Sequence, residues 1–244
     1  MASRVEALVD AASRPYLAAG RYAYHYARGK LVHDPFFLAL LRAGRIPDRS
    51  RVLDLGCGQA ILASLLLAAR AQHEAGSWPA GWAVPPSGLR LHGIEFSSLA
   101  VRRAQAALGG RATIEAGDLR DVSLPDADVV VLADVLHYLS PAQQDALLGK
   151  VAQTLRGGGL LVLRVADASA GWRFHAGKTT DWLGTLLSGG NLTRQHHRPV
   201  AGWMALLGEL GFGVGIEPPG RPKSFANVLL WASADPAARL ERAG

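Results

Sequence analysis

Apolar positions along this chain change their period repeatedly. Short continuous apolar runs alternate with stretches that repeat every three to four positions, the signature of buried strands joined by amphipathic helices. The pattern predicts strands over 52–55, 91–95, 112–115, 128–133 and 159–165, with helices over 59–70, 98–108 and 141–155. Such alternation builds an α/β, mostly parallel sheet with right-handed crossovers. Pro141 at its start and Gly157-Gly-Gly159 at its end bracket the last of these helices. Ahead of the sheet, Val5–Leu8 and Tyr16–Tyr26 read as helical, with Pro15 at a helix start, and a further helix runs from Pro35, capped by Asp34, to near Gly44. After Asp167 the rhythm is lost. Residues 168–198 are polar and mixed, with a short helix expected at Thr180–Leu187. A helix over 200–210 and strands over 212–216 and 226–232 close the chain's regular structure. Residues 73–90 carry Trp78, Pro79, Trp82, Pro85 and Pro86 with no period, which predicts an irregular insertion. It reads as a substrate lid, a partner contact or a plain surface loop.

Chemistry concentrates where the first strand ends. Arg51-Val-Leu-Asp-Leu-Gly-Cys-Gly-Gln-Ala60 runs from a buried strand through an acidic residue into Gly-x-Gly and then into a helix. Gly56 and Gly58 permit a tight turn and let a ligand lie against bare backbone. The following helix presents unpaired N–H groups and a positive dipole end. The site suits a small ligand with a carboxylate and an amine, with Asp54 near the amine. A dinucleotide loop would want a third glycine at position 61, where this chain has Ile61. Cys57 reads either as a reactive thiol at a helix start or as a small filler beneath the loop. A second acidic residue, Glu95, ends the second predicted strand in Leu91-His-Gly-Ile-Glu-Phe-Ser-Ser98. It lies 37 positions after Gly58, and 19 once the 18-residue insertion is set aside. A nucleotide-binding unit places its ribose carboxylate about 20 positions on. Glu95 also reads as an N-cap partner of Ser97 or Ser98.

These residues closely resemble motif I and the motifs that follow it in the class I S-adenosylmethionine (SAM) dependent methyltransferases, over roughly Arg51 to Asp167. The resemblance implies a Rossmann-like fold with a seven-stranded sheet, helices on both faces, an antiparallel last strand and an N-terminal helical lid. It implies SAM as cofactor and S-adenosylhomocysteine (SAH) as product. Asp54, Gly56, Cys57 and Gly58 fall at the methionine part of the cofactor, and Glu95, with Phe96 beside it, at the ribose. In Glu115-Ala-Gly-Asp118-Leu119 the resemblance puts Asp118 at the adenine amino group and the Leu119 N–H at a ring nitrogen. Asp121 suits a turn better. Glu at position 95, where the family more often has Asp, is a mild departure.

The acceptor side is expected where Asp134-Val-Leu-His-Tyr-Leu139 follows the fourth strand, since ligands sit outside the carboxyl ends of parallel strands. Asp134 is assigned to the cofactor. His137 reads as a general base for a hydroxyl acceptor, or as a residue that caps the helix or lines the pocket. Tyr138, Trp172 and Arg173 are candidate acceptor contacts. So are Tyr22 and Tyr26, which share a helix face, although core packing of those two rings explains them equally. Gly171-Trp-Arg-Phe and Ser224-Phe-Ala-Asn-Val-Leu-Leu-Trp231 faintly resemble methyltransferases of bacterial aryl polyene or pigment-lipid clusters. That implies a hydroxyaryl or acyl-linked aromatic acceptor, free or on a carrier protein, in bacterial secondary metabolism. Methyl transfer from SAM needs no metal, and none is expected; the adjacent His196 and His197 would point apart on a strand.

Composition changes this picture little. With 244 residues and a 49% apolar fraction, the chain suits one large α/β domain. The organisation expected is an N-terminal helical lid over 1–46, a cofactor-binding domain over 47–233 with the 73–90 and 168–198 insertions, and a tail over 234–244. A net charge of +6 suggests nucleic acid or an acidic membrane, but the arginines are scattered singly, so neither partner is favoured. The single cysteine excludes an internal disulfide, and the N-terminal Met-Ala-Ser-Arg-Val-Glu lacks the order of a signal peptide, so a cytoplasmic location is expected. No span of membrane length appears. A homodimer is an open expectation. Readings kept beside the methyltransferase are a catalytically silent SAM-binding subunit that contacts a partner through 73–90, a nucleic-acid methyltransferase, and an NAD-dependent oxidoreductase, the last opposed by Ile61 and the lack of a Tyr-x-x-x-Lys pair.

Overall fold

A computed structural model describes residues 2–155, 157–166, 195–217 and 227–235. The expected helix at Thr180–Leu187, the candidate contacts Trp172 and Arg173, and nearly all of the 168–198 insertion and the 234–244 tail lie outside the described residues. The strands form one seven-stranded sheet in the order β3-β2-β1-β4-β5-β7-β6. They are β1 (Arg51–Leu55), β2 (Arg90–Glu95), β3 (Thr113–Ala116), β4 (Val129–Ala133), β5 (Leu160–Ala166), β6 (Gly213–Glu217) and β7 (Asn227–Ser233). No helix among the described residues is long and apolar enough to cross a membrane.

Two compact units divide the chain between Asp121 and Val122. In the first, β1, β2 and β3 run parallel, with Leu55 opposite Ile94 and Glu95 opposite Ala116. Crossover helices α4 (Ile61–Glu74) and α5 (Ser98–Leu108) join them. β1 buries Val52, Leu53 and Leu55, and α4 buries an almost unbroken apolar face from Ile61 to Leu66. Three helices precede the sheet: α1 (Ala2–Ser13), α2 (Arg21–His33) and α3 (Pro35–Ala43), with a 3-10 turn over Arg14–Ala19. The helix expected over Tyr16–Tyr26 is broken because Gly20 sits at φ +103°, a conformation no helix continues through. Asp34 caps α3 as expected, accepting the Phe36 N–H at 3.1 Å.

The N-terminal helices are built into this unit. Buried Ser64 on α4 donates to the Ala12 carbonyl at 2.7 Å, and Gln72 donates to the Arg4 carbonyl at 2.8 Å. The insertion is tied down as well. α4 runs four residues further than expected, to Glu74, and the irregular stretch after it buries Pro85 and Pro86. Trp78 and Trp82 pack edge to face at 5.6 Å, the Arg42 guanidinium lies 4.4 Å over the Trp82 ring, and Asp48 accepts the Ser87 N–H at 2.6 Å.

In the second unit β4 and β5 run parallel, while β7 lies antiparallel to both β5 and β6. α6 (Pro141–Thr154) starts in a complete capping box, with the Ser140 hydroxyl accepting the Gln143 N–H and the Gln143 side chain accepting the Ser140 N–H. α7 (Val200–Glu209) buries Trp203 and Leu207 before β6. Gly159 enters β5 where a side chain would not fit: a Cβ there would lie 2.7 Å from Leu155 Cδ2.

Candidate functional site

β1 ends at Leu55 and α4 begins at Ile61, so five residues make the reversal. Gly56, Gly58 and Ala60 take φ +72°, +57° and +55°. Glycine adopts such angles freely; alanine does so at a cost of about 1–2 kcal/mol. The loop is anchored to β2 by the Gly56 and Cys57 N–H groups, both donating to the Ile94 carbonyl at 2.8 and 3.2 Å. A Cβ on Gly58 would meet nothing within 4 Å, so a ligand can approach that backbone closely.

Cys57 is the filler. Its thiol lies over Gly93 of β2, where an added Cβ would sit 2.6 Å from the sulfur. Burial, with the Asp54 and Glu95 charges behind it, pushes the thiol pKa up. A thiol held neutral in this way is a poor nucleophile.

Glu95 joins the first two elements of the site. Its Oε2 accepts the Gly58 N–H at 2.9 Å and its Oε1 accepts the Ser97 N–H at 2.8 Å. The bond from Ser97 is the N-cap partnership expected of this carboxylate. Asp54 lies close enough to feel it: burial and then the Glu95 charge raise the Asp54 pKa to about 7. Two carboxylates held together at the base of a glycine loop favour a cationic ligand group, which offsets their repulsion. Phe96, 74% exposed, offers a bare ring beside Glu95 on which a flat heterocycle can stack. Gly117 donates to the Glu95 carbonyl at 3.0 Å, bringing the third element alongside. There the Asp118 carboxylate is gripped by Arg120, whose Nε lies 2.9 Å from both oxygens and whose second terminal nitrogen pairs with Oδ2. The Arg120 hydrogen bonds hold the Asp118 pKa below the usual carboxylate range. Leu119 is buried next to it.

The donor set fits SAM: a carboxylate for an amine, one for a ribose diol, an acidic residue and an exposed ring for adenine, and open backbone at Gly58. Tyr22 and Tyr26 stack along α2 at 6.2 Å, and the Arg103 guanidinium lies 4.7 Å over Tyr22.

The second unit holds Asp134, His137 and Tyr138. Asp134 follows β4 at φ +59°, a strained angle for a residue other than glycine. Arg164 of β5 holds it twice: Nε at 3.1 Å from Asp134 Oδ1, and its carbonyl accepting the Asp134 N–H at 3.3 Å. His137 lies in a 3-10 turn, Leu136–Tyr138, its ring 4.1 Å from that of Tyr138. The 195–199 segment is not a strand, so His197 turns back and stacks its ring parallel to His137 at 5.4 Å. The His137 Nε2 is buried with no hydrogen-bond partner among the described residues, and burial lowers its pKa to about 4. The imidazole is neutral at physiological pH and can accept a proton, but as a weaker base than an exposed histidine. Buried Gln144 ties the turn together, its amide donating to the carbonyls of Leu136, Leu139 and His196 at 3.0–3.1 Å.

Sequence reasoning missed Arg120, two positions from Asp118, the Arg164 and His197 that meet Asp134 and His137 from further along the chain, and Gln144, which ties the turn that carries His137. It also missed Ala60, whose signal was present: an alternating positive-φ turn starting at Gly56 and Gly58 calls for a third permissive residue at 60. The strain there and the fully buried methyl nearly offset, since a buried carbon contributes about 0.8 kcal/mol. Ala60→Gly is expected to stay within about 1 kcal/mol of the parent in urea unfolding. Ala60→Val, a branched residue forced to positive φ, is expected to lose more than about 2 kcal/mol.

Residues 53–161 match the family described as a methyltransferase domain. Among curated proteins, the chain is similar to the carboxy-S-adenosyl-L-methionine synthase of Aliivibrio fischeri, 34% identical over 119 residues, 47% of this chain and 43% of that protein. The chain thus spans less than half the length of the curated relatives it matches. Among solved structures it is similar to magnesium protoporphyrin IX methyltransferase from Synechocystis PCC 6803 with bound SAH, at TM-score 0.56 and 21% identity over 87% of each chain. A complex of the Haloferax volcanii methyltransferase activator Trm112 with its methyltransferase aligns at TM-score 0.61 and 16% identity, over 90% of this chain and 96% of that one. At those identities the structural likeness concerns the fold.

Proposed function

We propose that the chain, whose residues 53–161 match a methyltransferase domain, is a class I SAM-dependent methyltransferase that transfers a methyl group from SAM to a small organic acceptor. The observation that carries this reading is the Glu95 carboxylate, which accepts the Gly58 N–H while Asp54 lies at the foot of the same loop. In the proposed roles Asp54 meets the amine of the methionine part, the Gly56–Gly58 backbone lies along it, Glu95 takes the ribose hydroxyls, and Phe96, Asp118 and Leu119 take the adenine. The resemblance assigns Asp134 to the cofactor as well. SAM supplies an electrophilic methyl group on a good leaving group, so the protein's work is alignment and exclusion of water. His137 presents a neutral, buried Nε2 that can receive the acceptor's proton. Tyr22, Tyr26 and Tyr138, with Trp172 and Arg173, supply acceptor contacts. A hydroxyaryl acid, free or carrier-bound, is the acceptor class proposed.

A second reading rests on the curated relatives, whose name describes synthesis of a carboxylated SAM rather than methylation of an acceptor. Mass spectrometry after incubation with SAM, a hydroxyaryl acid and an organic acid able to give up a carboxyl group separates the two. Methylated hydroxyaryl acid with stoichiometric SAH supports the proposal; carboxy-SAM supports the second reading. SAM binding with neither product favours the silent subunit.

A further inference from the structure

The N-terminal segment was expected to act from above, as a lid. One of its residues instead reaches the cofactor loop from inside the protein. Tyr16 lies in the 3-10 turn before α2 and is fully buried. Its hydroxyl donates to the Gln59 carbonyl at 2.7 Å. Gln59 stands between Gly58, whose N–H is bonded to Glu95, and Ala60, held at φ +55°. The loop is thus fixed on two sides. Glu95 holds it from β2, and Tyr16 holds it from the N-terminal segment, 43 residues earlier in the chain. The Gln59 side chain is itself 6% exposed, with a buried Oε1 lacking a hydrogen-bond partner among the described residues. Loss of the Tyr16 hydroxyl would leave a second buried acceptor unmatched at one residue, which a well-packed loop tolerates poorly.

We propose that Tyr16 is a positioning residue for cofactor binding: its hydroxyl bond to the Gln59 carbonyl sets the Gly56–Ala60 backbone in the conformation that receives SAM. Tyr16 does not touch the cofactor in this account; it acts through the loop. The N-terminal helices are then part of the cofactor site's framework. The inference rests on the reading of the Gly56–Ala60 loop as the SAM site. Burial keeps the phenol protonated, so it remains a donor throughout the working pH range.

The test compares three proteins: the parent, Tyr16→Phe, and Gln72→Ala. The first variant keeps the ring in the core and removes only the donor. The second removes a comparable tie between α1 and α4, the Gln72 bond to the Arg4 carbonyl, away from the loop. SAH affinity by calorimetry, KM for SAM and kcat in the methyl-transfer assay, and amide exchange over 56–60 are measured for each. Tyr16→Phe is expected to weaken SAH binding about tenfold and raise KM for SAM similarly, with kcat little changed and exchange over 56–60 accelerated. Gln72→Ala is expected to lower thermal stability while leaving SAH affinity and loop exchange at the parent values. If the parent binds SAH and Tyr16→Phe binds it equally well, the inference is overturned alone. Equal losses of affinity in both variants also overturn it, because the effect is then general destabilisation. A parent that binds no SAH overturns the cofactor reading and this inference with it.

Discussion

Glu95→Ala is expected to weaken SAH binding on the order of a hundredfold while the protein still folds. The carboxylate does two things in this structure: it accepts the Gly58 N–H and it accepts the Ser97 N–H. Each such bond to a charged acceptor contributes about 1.5–3 kcal/mol, and the proposed ribose contacts are lost with them. Tenfold in affinity corresponds to about 1.4 kcal/mol, so loss of about 3 kcal/mol at the ligand gives the stated factor. Glu95→Gln keeps one acceptor oxygen of the same shape and is expected to fall between the two. Calorimetric titration of all three proteins orders them. A Glu95→Ala protein that binds SAH like its parent would remove Glu95 from the site.

Gly93→Ala is the second large effect, and it involves a residue that touches no ligand in this account. A Cβ there would stand 2.6 Å from Cys57 Sγ, 3.1 Å from Cys57 Cβ and 2.9 Å from Ile114 Cδ1. The Ile114 methyl can rotate aside. The Cys57 Cβ cannot, because the residue's own N–H is bonded to the Ile94 carbonyl and its neighbours hold positive φ angles. Overpacking of this kind costs about 1–3 kcal/mol, and here the strain falls on the cofactor loop. Gly93→Ala is therefore expected to lose both stability and SAH affinity. Adding Cys57→Ala removes the sulfur and is expected to restore part of each. Urea unfolding of the two single variants and the double variant measures the coupling; strictly additive losses would contradict the contact.

Glycine at 93 looked unremarkable in the sequence, a small residue within a strand. Its reason is a side chain 36 positions earlier, which no local pattern reveals. The same holds for Tyr16, whose partner is Gln59, and for Arg164, which holds Asp134. By contrast the strand-to-loop-to-helix run at 51–60 was readable because its chemistry is local: a buried strand, an acidic residue and two permissive glycines in succession. The seven-stranded sheet and the antiparallel β7 followed from the resemblance those residues carry, not from periodicity. Helix ends were less legible. α4 begins at Ile61 rather than 59 because Ala60 occupies the left-handed region, and Gly20 splits what read as one N-terminal helix. The His196-His197 pair would point apart on a strand; its actual irregular path brings His197 onto His137. Contacts between distant positions decide Gly93, Tyr16, Arg164 and His197, and sequence spacing does not encode them; the helix ends at Gly20 and Ala60 are set by local backbone angles.

The proposed cofactor site is the Gly56–Ala60 loop with Asp54 and Glu95, which would receive SAM. The most direct measurement is a calorimetric titration with SAH at about pH 5.5 and about pH 7.5, with NAD as control. Asp54, raised to about 7 by burial and by Glu95, is largely protonated at the lower pH before ligand binds. An amine bound beside it favours the carboxylate, so binding releases a proton there and affinity rises with pH up to about 7, by at most tenfold per pH unit. The account predicts micromolar SAH binding at the higher pH, clearly weaker binding at the lower, and none for NAD. No SAH binding at either pH, or tight binding of NAD in its place, would contradict it.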